Sequence, residues 1–412
     1  MTDSKGLPMI DLVVLAPGFL GFDHFGGFPY FAQTVSTAIR MALEEAGRDA
    51  MLDLRILPCS TIPAGSLAER QEVFLRSLTR SLDWAEKQSG RPAHLHIVGH
   101  STGGLDAELL TLRKPLAHQF WPEPADRVRR ALRSVISIAA PLAGTSLADA
   151  ALVQLLATNE LHSFKDVLSW PRTQLERMVK LPSALPELWP ELLDLLEGIP
   201  PLLKDDAFKL LAGNAWYDPH AVVEFVNSLR TNRKLLNDLR PPEVAATLSI
   251  GFDSRLERIQ RARYLTVARA ASGPSTPSGK LFEFFYGLTA RYADDEGLGT
   301  VAKAINERLA SGKIPIIGSS PELPPLRAAS NDAVVNTLRQ LPLAPETLEL
   351  QLERIAAVVV ADHLDVLGYF PTPTPFAEEA PNGFLNSGSR FRDREFCALY
   401  RSVAREIAKG IA

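Results

Sequence analysis

The stretch from Ala93 to Leu110 constrains this chain more than any other. Ala93-His94-Leu95-His96-Ile97-Val98 is a largely apolar run of strand length. Gly99-His100-Ser101-Thr102-Gly103-Gly104 follows, and then the helix-like run Leu105-Asp106-Ala107-Glu108-Leu109-Leu110. A strand that turns into a helix within so few residues brings two backbones close together. Small residues are needed there, and Gly99 and Gly103 stand two places to either side of Ser101. The serine is left on a strained turn, with a helix N-terminus aimed at it. That partial positive charge suits a developing oxyanion, so Ser101 is a candidate nucleophile.

The surrounding pattern fits such a turn. Leu12–Ala16, Leu52–Leu57, His94–Val98 and Ser134–Ala139 read as strands; Tyr30–Glu45 and Ser66–Gln88 read as helices between them. Continuous apolar strands alternating with helices imply a parallel sheet covered on both faces. From Asp149 to Gln260 the strand signal stops and amphipathic segments take over, with Trp170, Trp189 and Trp216 among them. Strand signals return at Tyr264–Ala268 and Ile355–Ala361, and Arg392–Ala408 has helical spacing. The expected architecture is an α/β core of residues 1–149 and 261–412, a mostly parallel doubly wound sheet, with a helical cap or lid inserted at 150–260. Strand, glycine-flanked serine and helix together match the nucleophile elbow of the α/β-hydrolases.

Composition narrows the partners. The 412 residues carry a formal net charge of -4 and show no dense Lys/Arg stripe, so no nucleic-acid partner is expected. Cys59 and Cys397 do not make a disulfide framework; two buried thiols are the simpler expectation, pairing the alternative. The N-terminus lacks a basic region followed by a long apolar stretch, and Leu12–Ala16 is too short to span a bilayer. A cytoplasmic protein is expected, with export by a non-classical route the alternative.

A serine nucleophile needs a base, and the base needs an orienting acid, in the chain order Ser, acid, His for this arrangement. Of the eight histidines, His363 is the one that follows the late strands, almost directly after Val358–Ala361. The acid is sought between Tyr264 and His363. Asp332, in a short polar turn before an apolar run, is favoured over Asp294 and Asp295, which lie in a more charged stretch. The oxyanion donors are expected to be the backbone N–H of Thr102 and that of Phe19, on the glycine-bearing loop after the first strand. Phe22 and Leu20 of that loop, with His100 beside the serine, are expected to contact substrate.

Several segments, in order, resemble those of bacterial triacylglycerol lipases and carboxylesterases of the α/β-hydrolase fold. Val13-Val14-Leu15-Ala16-Pro17-Gly18-Phe19-Leu20-Gly21-Phe22-Asp23 is similar to their oxyanion segment V-V-L-V-H-G-x-x-G-F-D. Gly99–Gly104 matches G-H-S-x-G-G, and Ala140-Pro141-Leu142-Ala143-Gly144-Thr145-Ser146 resembles T-P-H-x-G-S. Leu236-Asn237-Asp238-Leu239-Arg240-Pro241 resembles a cap-exit element. Ser330-Asn331-Asp332-Ala333-Val334-Val335 is similar to S-N-D-G-x-V, and Asp362-His363-Leu364-Asp365 to N/D-H-L-D. The resemblance implies a Ser-Asp-His triad at Ser101, Asp332 and His363. It implies ester hydrolysis through an acyl-enzyme on a small-molecule or lipid ester, with transient contact to a lipid interface and no catalytic cofactor. It also implies a structural calcium near the base, for which Asp365 matches one ligand position. Three departures stand out: Pro17 replaces a histidine, Ala333 replaces a glycine, and the interval from acid to base is long, with Thr337–Glu353 reading as an insertion. Alternative functions are an acyltransferase, a phospholipase-type lipid effector with the same triad, or a non-catalytic binding protein of this fold.

Overall fold

The computed structural model describes residues 10–18, 24–25, 28–45, 54–59, 61–62, 65–119, 121–149, 234–268, 285–294, 297–318, 323–343, 348–368 and 391–411. In chain order the strands are β1 (Ile10–Ala16), the two-residue pair β2 (His24–Phe25) and β3 (Phe28–Pro29), β4 (Leu54–Pro58), β5 (Ala93–His100), β6 (Leu132–Ile138), β7 (Gln260–Val267), β8 (Ile316–Ile317) and β9 (Ile355–Val360). The helices used below are α1 (Gln33–Glu45), α2 (Leu67–Ser89), α3 (Thr102–Leu109), α4 (Pro122–Ala131), α5 (Lys234–Asp238), α6 (Pro241–Leu248), α7 (Leu298–Ala310), α8 (Leu348–Glu353) and α9 (Asp393–Ile411).

Seven strands form one sheet in the order β4-β1-β5-β6-β7-β9-β8, and every pairing in it is parallel. The chain leaves β1 toward β4 on one side and returns as β5 on the other. The order reverses at β1, which opens a crevice at the carboxyl ends of β1 and β5 where open α/β sheets hold their ligands.

The apolar strands divide by alternation. Val13, Leu15, Val98, Ile136, Ile138, Tyr264 and Val359 face one way and pack with Val35 and Ile39 of α1 and with Phe396, Leu399, Val403 and Ile407 of α9. Leu12, Val14, Leu95, Ile97 and Val135 face the other way and meet Phe74, Leu75, Leu78 and Leu82 of α2 and Val128 of α4. On that side, farther along the sheet, Leu265, Val358 and Val360 pack with Leu298, Val301 and Ile305 of α7. Each such fully buried side chain contributes about 1.5–3 kcal/mol relative to exposure. The same division explains the cysteines. Cys59 packs in the α2-side cluster and Cys397 against the α9-side cluster, so the sheet lies between them and no disulfide joins them.

Local signals set the element ends. Ser66 accepts from the Glu69 N–H at 3.2 Å while the Glu69 carboxylate accepts from the Ser66 N–H at 2.7 Å, a capping box that starts α2. Gly90 ends α2 at φ 67°, where a side chain would be strained. Of the expected cap, residues 150–233 lie outside the described residues. The described part begins at α5 and α6, whose Leu235, Val244 and Leu248 pack with Leu105, Leu109 and Leu142 of the core. The Asp238 carboxylate accepts from the Leu67 N–H at 2.7 Å, tying α5 to the start of α2. No helix among the described residues is long and apolar enough to cross a membrane.

At the amino ends of β1 and β5 lies a buried polar cluster. The Asp11 carboxylate lies 3.3 Å from His94 Nδ1 and 3.0 Å from His96 Nε2, and the other His96 nitrogen is 2.8 Å from Ser134 Oγ. Burial pushes the Asp11 carboxyl up, but the hydrogen bonds to His94 and His96 outweigh it and hold it at about 2, against an ordinary 3.8. A carboxyl lowered on folding stabilises the native state above its unfolded pKa and loses that contribution as pH falls through the folded one. The shift corresponds to roughly 2 kcal/mol. Burial also holds His96 below its ordinary value, so its protonation opposes the fold on acidification too. We expect urea midpoints to drop as pH falls from about 4 to about 2. We expect Asp11→Asn to be less stable at neutral pH and to show a shallower acid slope. Equal slopes in the two proteins would remove Asp11 from this role.

Candidate active site

Gly99, His100 and Ser101 carry β5 into the turn that starts α3. Ser101 has φ 54° and ψ -133°, a strained conformation for a residue with a side chain. Its N–H donates to the Ile138 carbonyl at 2.9 Å, so the pairing of β5 with β6 continues into the turn. The flanking glycines make the turn possible. A Cβ on Gly99 would fall 2.5 Å from both the Gly103 carbonyl oxygen and the Gly104 nitrogen. A Cβ on Gly103 would fall 2.5 Å from the Pro17 carbonyl oxygen, just beyond β1. The start of α3 is thereby pressed against the carboxyl end of β1, at the crevice. Gly18 lies on the opposite wall, where a Cβ would sit 2.6 Å from that of Ser101.

His363 follows β9 on a short buried loop. Its Nε2 lies 2.8 Å from Ser101 Oγ, and its Nδ1 lies 2.9 Å from Asp332 Oδ2. Its backbone N–H donates to the Asp332 carbonyl at 2.9 Å, which holds the two loops together. Because Nδ1 faces a carboxylate, it carries the proton, and the bare Nε2 faces the serine hydroxyl.

Asp332 is fully buried and its carboxylate is saturated with donors. Oδ1 accepts from the Val334 N–H at 3.0 Å and the Val335 N–H at 2.7 Å. Oδ2 accepts a short hydrogen bond from the Thr266 hydroxyl on β7, a longer one from Gln340 Nε2 at 3.4 Å, and that from His363. Gln340 is itself held by the Thr266 N–H, which donates to its Oε1 at 2.7 Å. Thr266 and Gln340 are the residues that sequence reasoning missed. Gln340 lies in Thr337–Glu353, read as an insertion; its first residues, Thr337–Gln340, form a buried turn that closes around the acid. Ala333, where the resembled segment has glycine, takes φ 84°, the left-handed conformation that glycine adopts without strain.

The remaining expected residues separate. Thr102 occupies the first position of α3, where backbone N–H groups have no intrahelical acceptor. Its side-chain hydroxyl is buried with no hydrogen-bond partner among the described residues. Phe19, Leu20 and Phe22 lie outside the described residues. His100, expected to contact substrate, has both ring nitrogens engaged by other groups of the fold. It is fully buried, with Nδ1 at 2.8 Å from the Tyr30 hydroxyl and Nε2 at 2.8 Å from the His363 carbonyl oxygen. Asp365, expected as a calcium ligand, is buried with Oδ2 accepting from the Asp362 N–H at 2.8 Å, and so caps the loop that carries His363. Among the described residues no group of three or more His, Cys, Asp or Glu side chains is arranged to hold a metal ion. Asp294 lies near Arg339.

Strand order, the switch point at β1 and the strained serine at the end of β5 decide the architecture. The fold is that of the α/β-hydrolases. No protein-family profile matches the sequence, and no curated protein matches it. Among solved structures, EstA from Clostridium botulinum is 14% identical, with 97% of this chain and 87% of that chain covered and a TM-score of 0.48. The metagenomic carboxyl esterase MGS0156 is also 14% identical, with 98% and 77% covered and a TM-score of 0.41.

The crowding at Gly99 yields a paired test. Gly99→Ala would drive a methyl into backbone atoms that cannot yield, and we expect it to destabilise the fold by about 3 kcal/mol. Gly299, in α7, has open space where its Cβ would lie. Gly299→Ala is expected to stabilise by about 0.5–1 kcal/mol, because it restricts the unfolded chain and favours helix. Thermal unfolding of both variants checks this; equal melting temperatures would contradict the packing described for the turn.

Proposed function

We propose that this chain is a serine carboxylic-ester hydrolase that works through an acyl-enzyme. The observation that carries the reading is the unbroken line Asp332–His363–Ser101, with separations of 2.9 and 2.8 Å, at the carboxyl end of β5. Three polar groups drawn from distant parts of the chain are costly to bury together unless their alignment serves a purpose.

In this reading Ser101 Oγ attacks the ester carbonyl as its proton passes to His363 Nε2. Asp332, fixed by Thr266, Gln340 and two backbone N–H groups, holds the imidazole in the required tautomer and stabilises the imidazolium. The Thr102 N–H, at the positive end of α3, faces the oxyanion of the tetrahedral intermediate, and Phe19 would supply the second donor. Each such donor contributes about 3 kcal/mol to the transition state. His363 then protonates the leaving alcohol, and water, activated by the same imidazole, releases the acid. These steps need no cofactor.

We expect a fluorophosphonate probe to label the wild-type chain stoichiometrically at Ser101 and to leave Ser101→Ala unlabelled. Asp332→Asn should keep the fold and lower kcat on p-nitrophenyl esters by about 10⁴-fold, since the wrong tautomer then faces the serine. A folded wild-type chain that resists the probe would point to a binding protein instead. A p-nitrophenyl ester series run beside an emulsified triglyceride, with and without an alcohol acceptor, separates esterase, lipase and acyltransferase.

A further inference from the structure

The tautomer of His100 is fixed by its surroundings. The His363 carbonyl oxygen can only accept, so His100 Nε2 carries the hydrogen and donates to it at 2.8 Å. Nδ1 is then bare and must accept from the Tyr30 hydroxyl, also at 2.8 Å. The Tyr30 oxygen in turn accepts from the Gly18 N–H. A single directed chain therefore runs from the Gly18 amide through Tyr30 and His100 to the carbonyl of His363. Both of its ends are backbone groups. One belongs to the loop after β1, the other to the loop after β9. In the sheet β5, β6 and β7 stand between those strands, which places β1 and β9 on the order of 19 Å apart at the usual strand spacing.

Apolar side chains of similar size could fill the same space. Tyr30 and Phe31 belong to an apolar cluster with Val35, Val366 and Tyr400, so a tyrosine hydroxyl and an imidazole are the costlier occupants there. What they add is direction and length. The His100 ring also lies 4.7 Å from that of His363, at 48° to it. Burial, and then the nearby His363, keep His100 neutral, so it would hold the same two hydrogen bonds when His363 takes up a proton.

We propose that Tyr30 and His100 form a hydrogen-bonded strut that sets the distance between the Gly18 loop and His363, making both of them positioning residues for Ser101. The catalytic consequence rests on the hydrolase reading above; the strut itself does not. Gly18 faces the Ser101 Cβ, and Phe19, the expected oxyanion donor, is the next residue. A slack strut would therefore misplace an oxyanion donor and the base together, leaving ground-state binding intact.

The test uses the full chain as wild type, Tyr30→Phe, His100→Leu and the double variant. Amide exchange at Gly18 should quicken in Tyr30→Phe, which removes its acceptor. It should also quicken in His100→Leu, although His100 makes no hydrogen bond to Gly18. With p-nitrophenyl butyrate, each single variant should lose about 10- to 100-fold in kcat with KM within about 2-fold. The double variant should be no worse than the poorer single one, because a strut broken twice is still one strut. Unchanged Gly18 exchange in either folded single variant, losses in kcat that multiply in the double variant, or a change confined to KM would each overturn the proposal. Should His100→Leu fail to fold, Tyr30→Phe, which deletes a single oxygen, decides by the same two readouts. A wild type without esterase activity would defeat the hydrolase reading alone, and Gly18 exchange would still decide the strut.

Discussion

A side chain at φ 54° is unfavourable unless its surroundings leave no other choice, and at Ser101 they leave none. Gly99 and Gly103 let β5, α3 and the end of β1 come into backbone contact, and any added carbon would force them apart. That contact turns the chain sharply enough to lift one hydroxyl clear of the sheet. It also points the first N–H groups of α3 toward the same place. The reach of His363 to Ser101, and the placing of Gly18 across the crevice, are both measured from this turn.

The second constraint is electrostatic. A carboxylate that is fully buried must collect donors, and Asp332 collects five. Two are amides of its own turn, which fix the local conformation. The Thr266 hydroxyl belongs to a central strand, and it fixes the acid relative to the sheet. The imidazole of His363 is held between this carboxylate and the serine hydroxyl. The sheet thus holds Asp332, Asp332 holds His363, and His363 meets Ser101.

Much of this was legible in the sequence because it is local. Strand and helix periods, the Ser66 and Glu69 cap, and the glycines at 99 and 103 each report on neighbours a few residues away. Ser101, Asp332 and His363 could be selected because each sits on a turn directly after a strand or before an apolar run. The partners of Asp332 could not. Thr266 is one threonine in a strand, Gln340 one glutamine in a segment that reads as an insertion, and their meeting is decided by how a strand and a distant turn pack. His100 is the opposite case. Its place beside Ser101 suggests contact with substrate, and alternation along β5 buries its ring on the α9 side of the sheet, against Tyr30. The edge strand Ile316–Ile317 is too short to leave a periodic signal.

Anchoring the acid to a strand has a consequence for chain length. Once Thr266 and Gln340 hold the carboxylate, Leu341, and Leu352 of α8, pack into the core beside β9, and the stretch from 343 to 347 only has to join them. Its length is then governed by loop-closure entropy, which rises by about 0.6 kcal/mol for each doubling. Residues added there should cost stability gradually while leaving the geometry around Ser101 unchanged, a distinction that melting temperature and probe labelling would register separately. The long interval between Asp332 and His363 is, on this view, made harmless by the core packing of the segments on either side of the join.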